Sequence, residues 1–378
     1  MRGMGLALLV VLGIVAGVGA QPRPVALDDV PPLTLPPVSA EPAGLPNGTT
    51  VSQPLQEPFP EATVASVTPR PGTSLGPIPR SWYSGEVLIW WPQSQRLPPL
   101  LVSTSAGGTA VDGPNTILLV GPRKTDPPAG AGGRFVLGWS LGPAQRTGME
   151  VSYLFTGTQS SLDRNAPAPF ETTASSRIQS WGVTGMANLY AGENATVNAL
   201  AGYRYFMVNE GLRFEQSSAF QGIDTSFRTA SADQFDAHNR FHGAELGLRT
   251  EFHRGPFSLQ FDTKVALGRT VEVVRVSGQT VAVTNGPAGV STQWFPSGLL
   301  GPSSPGSRTA QSNFAVLPEG GLKFGYQLGA RARFSLGYSV IYLSDAVRPG
   351  DQVDGNPAPF VRSDFWVQGV TLGMEWRY

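Results

Sequence analysis

The stretch from Asn313 to Tyr378 constrains the fold most, because apolar and polar residues alternate through three long runs of it. In the first, Val316, Leu322, Phe324, Tyr326 and Leu328 share one face and Glu319, Gly321, Lys323, Gly325 and Gln327 the other. In the second, Phe334, Leu336, Tyr338, Val340 and Tyr342 stand opposite Arg331, Arg333, Ser335, Gly337 and Ser339. The third sets Trp366, Val370, Leu372, Met374, Trp376 and Tyr378 against Gly369, Thr371, Gly373, Glu375 and Arg377. A period of two is the strand signal, and these runs exceed the usual strand of a soluble sheet. The small and charged face does not suit a dry core, where an unpaired charge is costly. An apolar outside with a polar inside is the arrangement of an antiparallel transmembrane β-barrel. A soluble sandwich with one solvated face is the alternative.

Composition agrees with an all-β chain of that kind. Charged residues are 14% of the 378, against about 25% in a soluble domain. Glycine (46) and proline (34) are abundant, and aromatic residues make up 10%. With 27 basic and 27 acidic residues and no basic block, nothing offers nucleic acid an electrostatic footprint. The absence of cysteine excludes disulfides, thiol catalysis and a lipidated N-terminal cysteine.

The N-terminus indicates export. Arg2 precedes the apolar run Leu6–Val18, and Val18-Gly19-Ala20 supplies small residues before a cut at Gln21. Residues 1–20 read as a secretory signal peptide. Residues 21–80 carry recurrent prolines, which cannot run in a β-ladder, and read as a disordered Pro-rich arm. Residues 81–378 form the expected barrel. Ten strands are expected within it, at 82–91, 133–141, 147–157, 181–191, 198–208, 241–252, 256–268, 314–328, 330–342 and 363–378. Twelve result if the segments around 117 and 212 insert. Short connections fall near 144, 254 and 329 and long ones near 100, 165, 225, 290 and 352. Loops are expected over 158–180, 217–239 and 277–312, and Trp90 and Trp91 suit either a membrane interface or an ordinary packed pair.

No reaction centre assembles from this pattern. His238, His242 and His253 are the only histidines, and no cysteine or matched carboxylate completes a metal shell beside them. Neither a cofactor nor a metal nor an enzyme activity is expected. The constellation that stands out is charged. Arg134, Glu150, Arg204, Glu245, Arg249, Asp262, Lys264, Glu319, Lys323, Arg331, Arg333, Glu375 and Arg377 all fall on the small, inward face. Such charges need partners or water. They either pair across the interior and close it, the preferred reading for a narrow barrel, or line a wet passage.

The chain also resembles the BBP7 family of outer-membrane β-barrel proteins found in planctomycete bacteria. The resemblance rests on Glu86-Val-Leu-Ile-Trp-Trp91 with Leu97-Pro-Pro-Leu100, Gly133-Arg-Phe-Val-Leu-Gly-Trp139, Gly202-Tyr-Arg-Tyr205, Asn239-Arg-Phe-His-Gly243, Lys264-Val-Ala-Leu-Gly268, Phe314-Ala-Val-Leu-Pro-Glu319, Gly337-Tyr-Ser-Val-Ile-Tyr-Leu-Ser344 and Val347-Arg-Pro-Gly-Asp-Gln-Val-Asp354. It spans Trp82 to Tyr378 and implies an outer-membrane location, with no substrate or catalytic residues. Residues 158–198 are shortened against the family pattern, which leaves the fourth strand, and a count between eight and twelve, open. Partners implied are outer-membrane lipid and, by analogy, the barrel-assembly machinery reading the C-terminal strand. The arm could reach another envelope protein or the cell wall.

Three functions follow, in order of preference. The first is a structural or envelope-organising barrel. The second is a narrow porin-like channel for small hydrophilic solutes or ions. The last is an enzyme with a site in the long loops, near Asp351 and Asp354.

Overall fold

The computed structural model describes residues 78–97, 100–103, 116–120, 123–125, 128–142, 144–165, 170–300, 307–353 and 360–378. The expected signal peptide, nearly all of the expected arm, and Asp354 lie outside the described residues.

A strand has no internal partners for its backbone, so each must find them on its neighbours. Ten strands do so in a cycle. They are β1 (Ser81–Pro92), β2 (Gly130–Leu141), β3 (Thr147–Thr156), β4 (Phe170–Ala191), β5 (Ala195–Gln221), β6 (Ser226–Arg254), β7 (Phe257–Gly286), β8 (Ser307–Gln327), β9 (Ala332–Val347) and β10 (Arg362–Arg377). Each pairs antiparallel with the next, and β10 pairs back onto β1, from Trp82↔Arg377 to Pro92↔Val367. The overlaps are uneven. Nine residue pairs join β3 to β4 and β8 to β9, whereas twenty-nine join β6 to β7. Among the described residues no helix is long and apolar enough to cross a membrane.

One rim of the cycle carries the short turns. Backbone bonds tie them sideways: His253 N donates to Asn194 O, Asn188 N to Arg146 O, and Gln327 N to Pro256 O. Gly255 takes a positive φ of 60° in the tightest of them, a conformation open to glycine. Ser81 and Tyr378 meet at this rim through reciprocal backbone bonds of 3.2 and 2.8 Å.

At the other end the strands run further than the sequence suggests. The loop expected over 217–239 is the tip of a hairpin in which β5 and β6 continue to a turn at 222–225. The loop expected over 158–180 contains a strand, Gln159–Asn165, and the first half of β4. That expected over 277–312 contains the end of β7, a strand at Gly289–Phe295, and the start of β8. These extensions alternate small or polar outward residues with Leu212, Phe214, Phe235, Val274 and Val276 inward. Their outer face is not apolar, so the membrane-type pattern does not mark them. The segment around 117 pairs with Leu100–Ser103 in a separate two-stranded sheet, and that around 212 belongs to β5.

Below these extensions the outward face is apolar. Phe257, Leu259, Phe334, Leu336 and Leu372 are exposed, and Met374 is half-buried. Tyr83 stacks on Trp376 and Tyr378 across the β1–β10 seam, with centroids 5.5 and 5.7 Å apart. Trp91 faces out, whereas Trp90 points inward and is fully buried. The sequence leaves both indoles open to an interface or to ordinary packing, and strand alternation, which sends adjacent residues to opposite faces, gives one of each.

Candidate functional site

Because strands alternate, the inward residues stack in layers, and the sequence order along each strand becomes height within the ring. The lowest full layer is ionic. Glu319 on β8 accepts from Arg134 of β2 at 3.2 Å and from Arg204 of β5 at 2.7 Å. Neither strand neighbours β8, so these bonds cross the interior. The chain of charges continues outward from this hub. Arg134 lies 3.6 Å from Glu86, which also takes Lys323. Arg204 lies 3.8 Å from Glu245, which takes Lys264 at 3.1 Å.

A second crossing links β3 to β6. The Arg249 guanidinium forks onto both Glu150 oxygens at 2.6 and 3.1 Å and reaches Asp262 at 2.7 Å. Trp82 Nε1 donates to the same Glu150 at 2.8 Å. Gly138 leaves room for that indole, since a Cβ there would overlap it. Nearest the rim, Arg333 pairs with Glu251 and, at 3.0 Å, with Glu375, and Arg377 closes the group on Glu375 and Glu251.

Seven carboxylates (Glu86, Glu150, Glu245, Glu251, Asp262, Glu319, Glu375) thus meet seven cations (Arg134, Arg204, Arg249, Lys264, Lys323, Arg333, Arg377). Charge inside the ring is balanced group for group. A guanidinium fork suits this work because its donors match a carboxylate's two oxygens.

The structure brings twelve of the thirteen sequence-selected charges into this belt. Arg331 is the exception. It lies exposed in the bend before β9, with its guanidinium 5.2 Å from the Tyr378 ring centre. Arg331 falls in the turn, where period two no longer sets the face. Glu86 and Glu251 were not selected, although both lie in phase with chosen neighbours.

On the rim side of the belt a cavity of about 210 Å³ opens among Ile78, Trp82, Met186 and the belt's own Glu150, Arg249 and Arg377. Above it the interior is dry. Leu88, Trp90, Leu154, Ile178, Phe206, Val208, Phe241, Ala266, Leu317, Ile341, Leu343, Phe365 and Val367 pack into one buried cluster. Gly369 makes the space for Trp90, because a Cβ there would strike the Trp90 ring and the Ile89 carbonyl.

A polar layer follows. Arg348 grips Glu210 at 2.8 and 3.0 Å and caps the Gln93 and Ser94 carbonyls. Asn239 exchanges two bonds with the Val347 backbone, at 2.8 and 2.9 Å, and the Arg362 Nε–H is shared between the two Glu272 oxygens at 3.2 and 2.9 Å. Burial pushes the Glu272 carboxyl up, against the opposing pull of Arg362. A second apolar cluster, including Leu97, Phe170, Leu212, Phe214, Phe235 and Val353, closes the top.

The histidines lie apart from the belt or at its edge. His242 faces outward with Nδ1 2.6 Å from the Tyr203 hydroxyl, His238 meets Asn209 at 2.9 Å, and His253 stands 3.8 Å from Glu251 at the rim. Asp351 accepts from the Ser363 hydroxyl at 2.5 Å.

A family model described as "Putative beta barrel porin-7 (BBP7)" matches residues 82–171 and 166–378. No curated protein matches. Among solved structures, the outer membrane protease OmpT from Escherichia coli is similar at 10% identity, covering 81% of this chain and 99% of that one, with a TM-score of 0.47. The Pseudomonas putida toluene transporter TodX is similar at 8% identity, with coverages of 80% and 91% and a TM-score of 0.30. A FadL homologue from Pseudomonas aeruginosa gives 10% identity, 79% and 90%, and 0.26. None of the three lends a residue role to this chain.

Proposed function

This chain belongs to the beta barrel porin-7 (BBP7) family, and on that premise we propose that its cycle of ten strands is an outer-membrane barrel forming a narrow pathway for small hydrophilic solutes or ions, shut in the conformation described. The exposed apolar band is the lipid-facing surface. Phe257 to Leu267 on β7 spans ten residue steps, about 33 Å along a strand and about 25 Å once tilted by some 40°. That height matches the apolar band of such barrels. The turn-bearing rim faces the periplasm and the long extensions face outward.

One observation carries the channel reading. The dry layer around Trp90 and Phe206 lies between two polar-lined levels, the ionic belt below and the Glu210–Arg348–Asn239 layer above. An apolar constriction between polar-lined levels gates by excluding water. A wholly structural barrel would not require polar lining on both sides of its seal. The density of that seal favours the second reading, a barrel that organises the envelope without conducting. No reaction is assigned to either.

Planar-bilayer recording separates the two. The protein is expected to open rarely, and Trp90→Ser with Leu317→Ser should make unit openings frequent by wetting the layer. If both proteins insert, show heat-modifiable migration and stay silent, the channel reading is wrong and the structural one stands.

A further inference from the structure

The charges of the belt cancel, but one outward surface is left strongly basic. It lies on β6, β7 and β8 just above a row of side chains suited to a membrane interface. Strand register places Tyr205, His242, Arg269 and Phe314 in that row. One step higher come Arg240, Val271 and Ser312, and higher still Arg275 directly opposite Arg308. Arg240, Arg269 and Arg308 are exposed. Asp236, opposite Arg275, is the one acid in these rows. Among the described residues no carboxylate forms an ion pair with Arg240, Arg269, Arg275 or Arg308. Every cation of the belt, in contrast, has a carboxylate partner.

The two lower arginines are close in register. Arg240 and Arg269 are diagonal neighbours on adjacent strands, within reach of one another for side chains of this length. Arg269 already donates to the Ser312 hydroxyl. A groove runs down from Arg269 and Ser312 between Tyr203, His242, Ala244, Leu267 and Phe314. Ala244 is small where its strand neighbours Leu246 and Leu248 are large and exposed, and that deepens the groove. Its head is cationic and hydrogen-bonding and its body is apolar. Arg240 and Arg275 also stand near His238, where they add to burial in holding its imidazole below the usual value, against Asp236.

We propose that Arg240, Arg269 and Ser312 hold the anionic phosphate of an outer-leaflet lipid headgroup, with an acyl chain lying over Ala244 and Leu267. Arginine forks match phosphate oxygens bidentately and keep their charge at any working pH. Height favours a lipid over a free anion. Arg269 lies twelve residue steps above Phe257, about 30 Å up a tilted strand, just past the end of an apolar band about 25 Å tall. The inference rests on the outer-membrane reading above.

The test uses the full chain in phosphatidylcholine vesicles, without addition, with diphosphorylated lipid A, or with dephosphorylated lipid A. Flotation is scored first, then the lipid kept through detergent extraction is read by native mass spectrometry. Retention of the phosphorylated lipid is expected, with Arg240→Gln/Arg269→Gln lowering it about tenfold, the scale of losing charge-assisted bonds. Arg331→Gln, at the opposite rim, should leave it unchanged. Equal retention of the dephosphorylated lipid, equal retention by the double variant, or displacement by inorganic phosphate at matched concentration would each overturn the proposal. A chain that does not float overturns the membrane reading as well, whereas one that floats without lipid preference overturns only this one.

Discussion

Glu319 is the point at which the interior can be tested with one atom set. It receives Arg134 and Arg204 at 3.2 and 2.7 Å, and the three side chains are 10%, 11% and 5% exposed. Glu319→Ala leaves both guanidiniums with only longer contacts, 3.6 Å to Glu86 and 3.8 Å to Glu245. Removing one partner from a buried ion pair costs about 3–5 kcal/mol, and two stranded cations put this variant toward the upper end. Glu319→Gln keeps the shape and an acceptor oxygen but not the charge, so about 1.5–3 kcal/mol is expected. The internal control is Arg213–Glu215, a 2.6 Å pair whose side chains are 26% and 44% exposed. Glu215→Ala should cost no more than about 1 kcal/mol. Urea unfolding in detergent micelles, with heat-modifiable migration as the readout of the closed ring, measures all three. The contrast should survive 1 M salt, where screening reaches about 3 Å and surface pairs fade. If Glu319→Ala costs no more than Glu215→Ala, or its effect vanishes in salt, the belt is bathed in water and the reasoning from burial fails.

Three further outcomes are expected. Deleting Val370–Tyr378 removes much of the pairing of β10 with β1 and β9 and should abolish insertion, whereas deleting residues 25–75 should not; membrane recovery of the two truncations decides. Gly369→Val places side-chain atoms where the Trp90 ring and Ile89 carbonyl already stand, so overpacking should destabilise by about 1–3 kcal/mol or more, seen as an earlier heat-modifiable transition. Asn239→Ala leaves the buried Val347 backbone without both side-chain partners and should cost about 1–3 kcal/mol, with hydrogen exchange rising first at Val347.

The outer face was legible because the lipid-type pattern is simple. Leu322, Phe324 and Tyr326 alternate without interruption, and all three are exposed. The inner face was legible only as a set. Period two places Arg134, Arg204 and Glu319 on one side of their strands, but not beside one another. Those partners are 185 and 115 residues apart in sequence, and only closure of the pairings brings them together. The dry layer was visible in principle: Leu88 follows Glu86, Phe206 follows Arg204 and Leu317 precedes Glu319, each in phase with a charge. Read one strand at a time, such residues look like breaks in a polar face. Read at equal height around the ring, they are a seal. Arg348 was beyond reach for another reason. The register slips between Leu343 and Ala346, and Asp345 adopts a positive φ of 51°, so alternation loses count before it reaches that residue.

The pairing of seven acids with seven bases has an electrical consequence. A potential works on a protein through charge it can displace, at about 2.3 kcal/mol per elementary charge per 100 mV. Neutral pairs that move together carry no net charge through the field, so the belt supplies no gating charge. The seal above it is built from side chains of the wall itself, so among the described residues no separate plug offers a voltage something to pull. On the channel reading proposed above, the barrier is therefore set by how readily water enters an apolar layer. It should respond to temperature and to the polarity of the residues at Trp90 and Leu317, and stay indifferent to the sign of an applied voltage.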